Sequence, residues 1–181
     1  DDFRDCYCVG GIDLSQTTDL TACCVVIEKE GKLYVFSHFF MPESRLQDAQ
    51  AEDGVPYELF RQRGFLSLSG ENYKDCFDWF KNLVEDYQIY PLQVGYDRYS
   101  AQYLVDDMKQ YGFHMDDVYQ GHNLTPVIRE FEGIIKDGSI CTGDNNLLQA
   151  HLLNVALKAD TETQKVKPVK ISPRARIDGA M

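Results

Sequence analysis

Three consecutive segments of this sequence have the character of β-strands, and only short connections separate them. Residues 7–14, 21–28 and 32–40 alternate between apolar and polar side chains or run continuously apolar, and Glu30-Gly31 is typical of a hairpin turn. Consecutive strands that short turns connect pair antiparallel in a sheet. The beginning of the chain therefore predicts an antiparallel meander of three strands, on which the rest of the fold must build.

Helices and strands alternate in the second half of the chain. Apolar side chains between residues 71 and 88 recur at the spacing of one helical face, and residues 92–96 have the pattern of a short strand that ends before Asp97. A meander followed by such alternation predicts an α/β fold with a mixed sheet, in which parallel strands follow the meander and helices cover both faces. The further predicted elements are helices at 100–111, 125–136 and 147–159, strands at 113–119 and 166–171, and the start of a helix in the last residues.

Residues 41–69 interrupt this pattern. They contain two helical pieces, at 44–52 and 56–63, and we expect the region to be an insertion or a flap. With 181 residues, of which 44% are apolar, the chain is long enough for a full core, so a single domain over 1–181 is predicted. No apolar run reaches the roughly 18 residues of a membrane span, and a soluble, intracellular protein without membrane contact is expected.

Charge and cysteine content narrow the classes of function. A formal net charge of −11 argues against a protein that coats DNA nonspecifically, although it allows a nuclease that concentrates carboxylates at one point. The six cysteines lie in strand-like or helical segments, and buried reduced thiols are favoured there over a zinc site. The chain has no G-x-x-x-x-G-K-[ST] sequence and thus no Walker A nucleotide site.

Three aspartates occupy similar places in the predicted fold. Asp13 follows GGI at the end of the first strand, Asp97 follows LQVGY at the end of a later strand, and Asp178 follows ARI at the start of the last helix. Strand ends and helix N-termini gather at one edge of an α/β sheet, where ligand sites form. A buried carboxylate such as Asp13 costs several kcal/mol unless a partner neutralises it, on the order of the penalties for buried charges in general.

A divalent cation is the partner that three converging carboxylates would need. Carboxylates that meet repel each other, and Mg²⁺ or Mn²⁺ prefers oxygen ligands. Two such ions about 3.5–4 Å apart can activate water and stabilise the leaving oxygen of a phosphodiester. Simpler roles stay open for each residue: Asp13 as a turn cap, Asp97 as a partner of Arg98, and Asp178 as an acid favoured at a helix N-terminus.

A basic segment precedes the last of these aspartates. In an otherwise acidic chain it is a candidate DNA contact, with a solvated basic loop as the alternative. Asp19 is a possible peripheral metal ligand, although a turn residue is favoured, and His114, His122 and His151 are expected to be structural. The candidate DNA-binding residues are Arg98, Lys167, Lys170, Arg174 and Arg176, with Lys165 in the same segment.

Five motifs follow one another over nearly the whole chain: GGIDLSQTTDLTA, VGYDRYSAQYLVDDM, VYQGHNLTP, HLLNVAL and KISPRARIDGAM. Together, and in this order, they resemble the nuclease domain of the large terminase subunit of tailed bacteriophages. The resemblance implies a ribonuclease H-like fold and a metal-dependent endonuclease that cuts concatemeric viral DNA during genome packaging. It also implies a longer protein with an N-terminal ATPase motor, from which this domain would be excised.

The resemblance also implies roles, cofactors and partners. Asp13 would bridge two Mg²⁺ or Mn²⁺ ions, Asp97 would hold the ion on the leaving-group side, and Asp178 the ion that activates water. Double-stranded DNA would be the substrate, and the ATPase domain, the portal and the small terminase subunit the partners in the full-length protein. The host cytoplasm is the expected location, and the mature virion is not. With Ala175 and Gly179 around Asp178, a fourth ligand near this motif is in doubt.

Other functions remain open on the sequence alone. A Holliday junction resolvase or an integrase-type core uses the same acids on a related fold, and a noncatalytic DNA-packaging module would keep the fold without activity. The Asp-Leu-Ser opening also resembles the phosphate-binding start of actin-like sugar kinases. Such kinases need a second glycine-rich phosphate loop and a longer chain, and the sequence has neither.

Overall fold

The computed structural model describes residues 2–14, 20–70, 72–97 and 102–181. The strands are β1 (Tyr7–Asp13), β2 (Thr21–Lys29), β3 (Lys32–Pro42), β4 (Leu66–Ser69), β5 (Tyr90–Asp97), β6 (Met115–Val118), β7 (Ile140–Cys141), β8 (Val155–Ala159) and β9 (Val166–Lys170). The helices are α1 (Leu46–Asp53), α2 (Tyr57–Gln62), α3 (Asn72–Glu85), α4 (Gln102–Tyr111), α5 (Thr125–Lys136) and α6 (Asn146–Leu153), with 3₁₀ helices at Glu43–Arg45, His122–Leu124 and Asp178–Ala180.

Within the described ranges, the main sheet has seven strands, in the order β4-β3-β2-β1-β5-β6, with β7 paired to β3. β1, β2 and β3 pair antiparallel, and the tight turn between β2 and β3 has Glu30 at φ 53° and Gly31 at φ 74°, the backbone that a two-residue hairpin turn requires. β5 pairs parallel to β1, and β6 pairs parallel to β5. The predicted meander and the parallel strands after it are confirmed. β8 and β9 form a separate antiparallel hairpin.

Helices cover both faces of the sheet, as predicted. Successive residues of a strand point to opposite faces, and Phe39 and Phe40 of β3 accordingly belong to two different cores. On the Phe40 side, α3 and α4 pack through Phe80 and Met108, both fully buried. On the Phe39 side, α1, α2 and α6 contribute the second core through Ala49, Tyr57, Phe60, Leu147 and Leu148. None of the helices in the described ranges combines the length and apolar character of a membrane span.

Gly10 allows α3 to approach β1 closely. A Cβ atom at Gly10 would lie 2.8 Å from the Phe80 ring and 3.1 Å from Val94 Cγ2. Because the core is close-packed, Gly10→Ala is expected to lower the free energy of unfolding by about 1–3 kcal/mol in a urea titration. Gly133→Ala is the matched control, because a Cβ there meets nothing within 4 Å and α5 gains up to about 1 kcal/mol of helix propensity. Equal stability of the two variants would contradict this packing.

The predicted helix over 147–159 is wrong in its second half. α6 ends at Leu153, with Asn154 as its C-cap, and Val155–Ala159 form β8 instead. Val155 pairs with Lys170 and Ala159 with Val166, so the partner strand decides the conformation of a segment whose own sequence is compatible with either. The short strands β4 and β7 were not predicted. Each completes its hydrogen bonds only by pairing with β3, which is distant in sequence.

The region 41–69 is packed against the rest of the chain. Its two predicted helical pieces are confirmed as α1 and α2, and Tyr57 and Phe60 of α2 lie in the core on the Phe39 side. β4 then joins the sheet beside β3, pairing Leu66 with Phe39. This packing brings the C-terminal end of α1 near the end of the chain.

Candidate metal centre

Asp13 and Asp97 end two adjacent parallel strands. Ile12 of β1 pairs with Tyr96 of β5, so the two aspartates occupy the next position on each strand. Neighbouring positions on paired strands lie on the same face of the sheet. Each carboxyl is partly buried, and the charge of Asp97 acts on the pKa of Asp13. The two strand ends thus bring these two carboxylates together, as the sequence predicts.

Asp178 reaches the same place from the end of the chain. It begins the 3₁₀ helix Asp178–Ala180, which packs against β2 and α6. Gly179 makes this approach possible, because a Cβ atom there would lie 2.5 Å from Cζ of Phe39. The charge of Asp178 also acts on the pKa of Asp13. Asp13 therefore interacts electrostatically with both other aspartates.

The environment of these carboxyls is unfavourable for negative charge. Burial, followed by the charges of Asp178 and Asp97, raises the pKa of Asp13 from 3.8 to about 7, while the Lys170 ammonium acts in the opposite direction. Burial also raises the pKa of Asp178, against the lowering effects of its own backbone N–H, Lys170 and Arg176. Oδ2 of Asp178 is buried and has no hydrogen-bond partner within the described part of the chain. An unpaired buried oxygen of this kind is costly, so a cation is the partner that would relieve it.

The raised pKa of Asp13 predicts how stability depends on pH without divalent ions. Between its unfolded value of 3.8 and its folded value of about 7, the folded state binds more protons, so stability falls as pH rises through this window. Asp13→Asn, which cannot ionise, is expected to flatten the fall and to melt higher than the parent at pH 8 in chelator, but not at pH 4. Asp107→Asn, on the exposed side of α4, is the control and should follow the parental pH profile. If the stability of Asp13→Asn depended on pH in the same way as that of the parent, the burial of this charge would be contradicted.

The donors suit a hard divalent ion. All three candidate ligands offer carboxylate oxygens, which Mg²⁺ and Mn²⁺ prefer, and the unpaired Asp178 Oδ2 is available for ligation. Within residues 2–14, 20–70, 72–97 and 102–181, no three His, Cys, Asp or Glu side chains are arranged to hold an ion as they stand. Ligation by Asp13, Asp97 and Asp178 would therefore draw their mutually repelling carboxylates closer together.

Arg176, a candidate DNA contact, has a structural partner that the sequence analysis missed. Its Nε and Nη2 donate to Asp53 Oδ2 and Oδ1 at 2.9 and 3.1 Å, and the two side chains are only 14% and 5% exposed. The Tyr57 hydroxyl donates to the same carboxylate at 2.8 Å. One sequence signal could have indicated that Asp53 has a cationic partner. Asp53 lies in the last turn of α1, where the helix dipole disfavours an acid.

His151 is structural, as predicted. It is 2% exposed, its ring lies 4.8 Å from that of Phe39, and its Nδ1 accepts a hydrogen bond of 2.9 Å from the Gly179 N–H. Burial, and then the charge of Lys170, lower the pKa of His151 from 6.5 to about 4. The imidazole is therefore neutral at physiological pH and accepts this hydrogen bond without a change of charge.

Of the remaining basic candidates, Lys170 lies close enough to Asp13 and Asp178 for its charge to act on the pKa of both. Lys167 and Lys170 belong to β9, and Lys158 stands directly opposite Lys167 on β8. Such like-charged neighbours across a hairpin repel unless an anion lies near them. A cavity of about 350 Å³ runs between α1 and the segment after β9, lined by Ala51, Glu52, Asp53, Lys170, Pro173, Arg174 and Arg176. The candidates Asp19 and Arg98 lie outside the described residues, as does the start of the helix predicted at 100–111.

Comparisons with known proteins agree on one group of phage proteins. The family model for the terminase large subunit, endonuclease domain, matches residues 3–181. The large terminase subunit of Enterobacteria phage HK97 is 23% identical over 176 residues, covering 93% of this chain and 34% of the relative. The corresponding subunit of Lactococcus phage p2 is 25% identical over 185 residues, covering 94% of this chain and 34% of the relative. The chain thus spans about a third of the length of the curated relatives that it matches.

Solved structures show the same fold. The HK97 large terminase superposes with a TM-score of 0.84 at 22% identity, over 97% of this chain and 37% of that one. The large terminase nuclease of thermophilic phage G20c superposes with a TM-score of 0.63 at 13% identity, over 98% of this chain and 78% of that one. That nuclease was also solved with bound magnesium and with bound cobalt. The expected ribonuclease H-like mixed sheet is therefore confirmed.

Proposed function

Because the chain belongs to the family of terminase large-subunit endonuclease domains, we propose that it is a metal-dependent endonuclease that cuts concatemeric viral DNA during genome packaging. The family is one of phage DNA-packaging nucleases, which makes hydrolysis the reaction class. The observation that carries the finer proposal is the electrostatic interaction of Asp13 with Asp97 and Asp178, together with the buried Oδ2 of Asp178, which has no hydrogen-bond partner among the described residues. Three neighbouring carboxylates can serve as an oxygen-rich site for divalent ions.

The proposed roles follow from the positions of the three aspartates. Asp13 interacts with both other carboxylates and is the residue best placed to bridge two ions. Asp97 would then hold the ion on the side of the leaving oxygen, and Asp178 the ion on the side of the attacking water. Two bound Mg²⁺ or Mn²⁺ ions would supply a water of lowered pKa and stabilise negative charge on the phosphodiester. The G20c nuclease, solved with magnesium and with cobalt, supports divalent ions of this size.

The basic groups of β9 and of the segment after it are proposed to hold the DNA backbone. Lys167 and Lys170 belong to β9, and Arg174 lines the cavity beside α1. Lys170 is exposed, and its charge acts on the pKa of both Asp13 and Asp178. Phosphates near the Lys158–Lys167 pair would relieve its repulsion, so these cations can bind DNA in a chain whose net charge is −11. Arg98 remains a candidate for the same role. Arg176 is engaged by Asp53, and its contribution would be structural.

The curated relatives are about three times as long as this chain. The partners proposed here are those of such a longer protein. They are an ATPase domain, the portal and the small terminase subunit, with double-stranded DNA as substrate. The large terminase of another thermophilic bacteriophage, similar in fold to this chain at a TM-score of 0.55 and 16% identity, was solved in complex with ATP-gamma-S. The host cytoplasm is the proposed location.

Plasmid cutting tests this proposal. The chain is incubated with supercoiled plasmid and with a four-way DNA junction, in Mn²⁺, in Mg²⁺ and in chelator. We expect nicked and linear plasmid with either ion, none in chelator, and no preference for the junction. Selective cutting of the junction would favour a Holliday junction resolvase. A folded chain that binds DNA and cuts neither substrate with either ion would favour a noncatalytic packaging module.

A further inference from the structure

Three side chains contact the residues on either side of Asp178. The carboxylate of Asp53 binds the Arg176 guanidinium through two hydrogen bonds, at 2.9 and 3.1 Å. Asn154 Nδ2 donates to the Arg176 carbonyl at 3.1 Å, and His151 Nδ1 accepts from the Gly179 N–H at 2.9 Å. These contacts bracket Asp178, so the segment is fixed at both of its ends. We propose that Asp53, Asn154 and His151 form a clamp that positions the Asp178 carboxylate for metal binding.

The segment has little local structure to hold it without such a clamp. Asp178–Ala180 is a single 3₁₀ turn with no side-chain cap at its start, and a turn of this length is weakly stable by itself. Asp178 nevertheless keeps one carboxylate oxygen buried and without a partner in the described part of the chain, where rotation towards water would be favourable. The bracketing contacts oppose that rotation because they fix the backbone on which the side chain stands. Asp178 is then directed towards Asp13 before any ion arrives.

The clamp joins two distant parts of the chain. His151 and Asn154 lie one turn apart at the end of α6, and both reach the final segment. Asp53 comes from α1, and the Tyr57 hydroxyl of α2 holds its carboxylate in place. The region 41–69 thus acquires a role in support of the third aspartate. This inference rests on the proposed function, and Asp53, Asn154 and His151 are positioning residues that act through the segment around Asp178.

Substitutions at the contact between Asp53 and Arg176 test one end of the clamp. The divalent-ion affinity and the plasmid cutting of Asp53→Asn, of Arg176→Gln and of the double variant are compared with those of the parent. Partners of metal ligands affect metal affinity by roughly 10- to 100-fold, and we expect each single variant to lose Mn²⁺ affinity by such a factor in calorimetry. Plasmid nicking should show a lower kcat at an unchanged KM for DNA. The Mn²⁺ affinity of the double variant should be no lower than that of the weaker-binding single variant, because both substitutions break the same contact. Asp48→Asn is the matched control, since the exposed Asp48 pairs with Arg45 and lies on the same helix as Asp53.

Substitutions of His151 test the other end of the clamp. His151→Asn keeps an acceptor near the position of Nδ1, whereas His151→Leu removes it at similar volume. The Gly179 amide hydrogen should exchange at least roughly tenfold faster in His151→Leu and in Asp53→Asn than in the parent, in the absence of any ion, and His151→Asn should retain most of the protection. Unchanged exchange in both variants would overturn the clamp, as would parental Mn²⁺ affinity in Asp53→Asn. A parent that neither binds Mn²⁺ nor cuts DNA would instead overturn the proposed function, and amide exchange would still report on the clamp.

Discussion

Replacing Asp13, Asp97 or Asp178 by asparagine, one residue at a time, is expected to lower metal-dependent plasmid cutting by roughly 100-fold or more, since bound metal ions supply several kcal/mol of charge stabilisation. Asparagine keeps the volume of each side chain but removes the negative charge that would hold an ion. The rate is measured as single-turnover nicking at saturating Mn²⁺. Asp13→Asn should have the largest effect, because Asp13 interacts with both other aspartates.

Two controls separate lost chemistry from lost folding. Asp107→Asn, on the exposed side of α4, should cut at the parental rate. Asp13→Asn should melt above the parental temperature at pH 8 in chelator, because it removes a buried charge whose pKa is raised to about 7. The site assignment is wrong if all three asparagine variants cut like the parent while remaining folded.

Divalent ions are expected to stabilise the folded chain strongly. An ion at 100 times its dissociation constant adds about 2.7 kcal/mol to the free energy of unfolding. For a chain of 181 residues, this corresponds to a rise in Tm of roughly 5–10 °C. The physical reason is that an ion offsets the repulsion among Asp13, Asp97 and Asp178 and pairs the buried Oδ2 of Asp178. Thermal melts with increasing Mn²⁺ or Mg²⁺, reversed by chelator, measure the effect.

The variant in which all three aspartates are asparagines distinguishes this site from diffuse ion binding. In a chain with a net charge of −11, divalent ions also screen surface repulsion, which would raise Tm in any variant. We expect the triple variant to retain only that smaller, unsaturable rise. A rise equal to that of the parent would place the bound ions elsewhere on the surface.

Much of the fold followed from local sequence signals. The positive φ angles of Glu30 and Gly31, the amphipathic helix α3 and the ends of β1 and β5 all match what spacing and turn chemistry predict. β8 was missed because its five residues are extended only through pairing with β9. β4 and β7 were missed for the same reason, since both are short and depend on β3.

The sequence by itself determined which acids could form a centre and where each stands on its own element. Asp13 and Asp97 end apolar strand segments and Asp178 begins the last turn, and these are local properties of short stretches. The tertiary structure alone decided that Asp13 interacts with both other aspartates and that Asp53 and His151 contact the final segment. It also decided that one oxygen of Asp178 is buried without a partner among the described residues. Burial and hydrogen-bond partners depend on residues far apart in the chain, and no local pattern around Asp178 contains them.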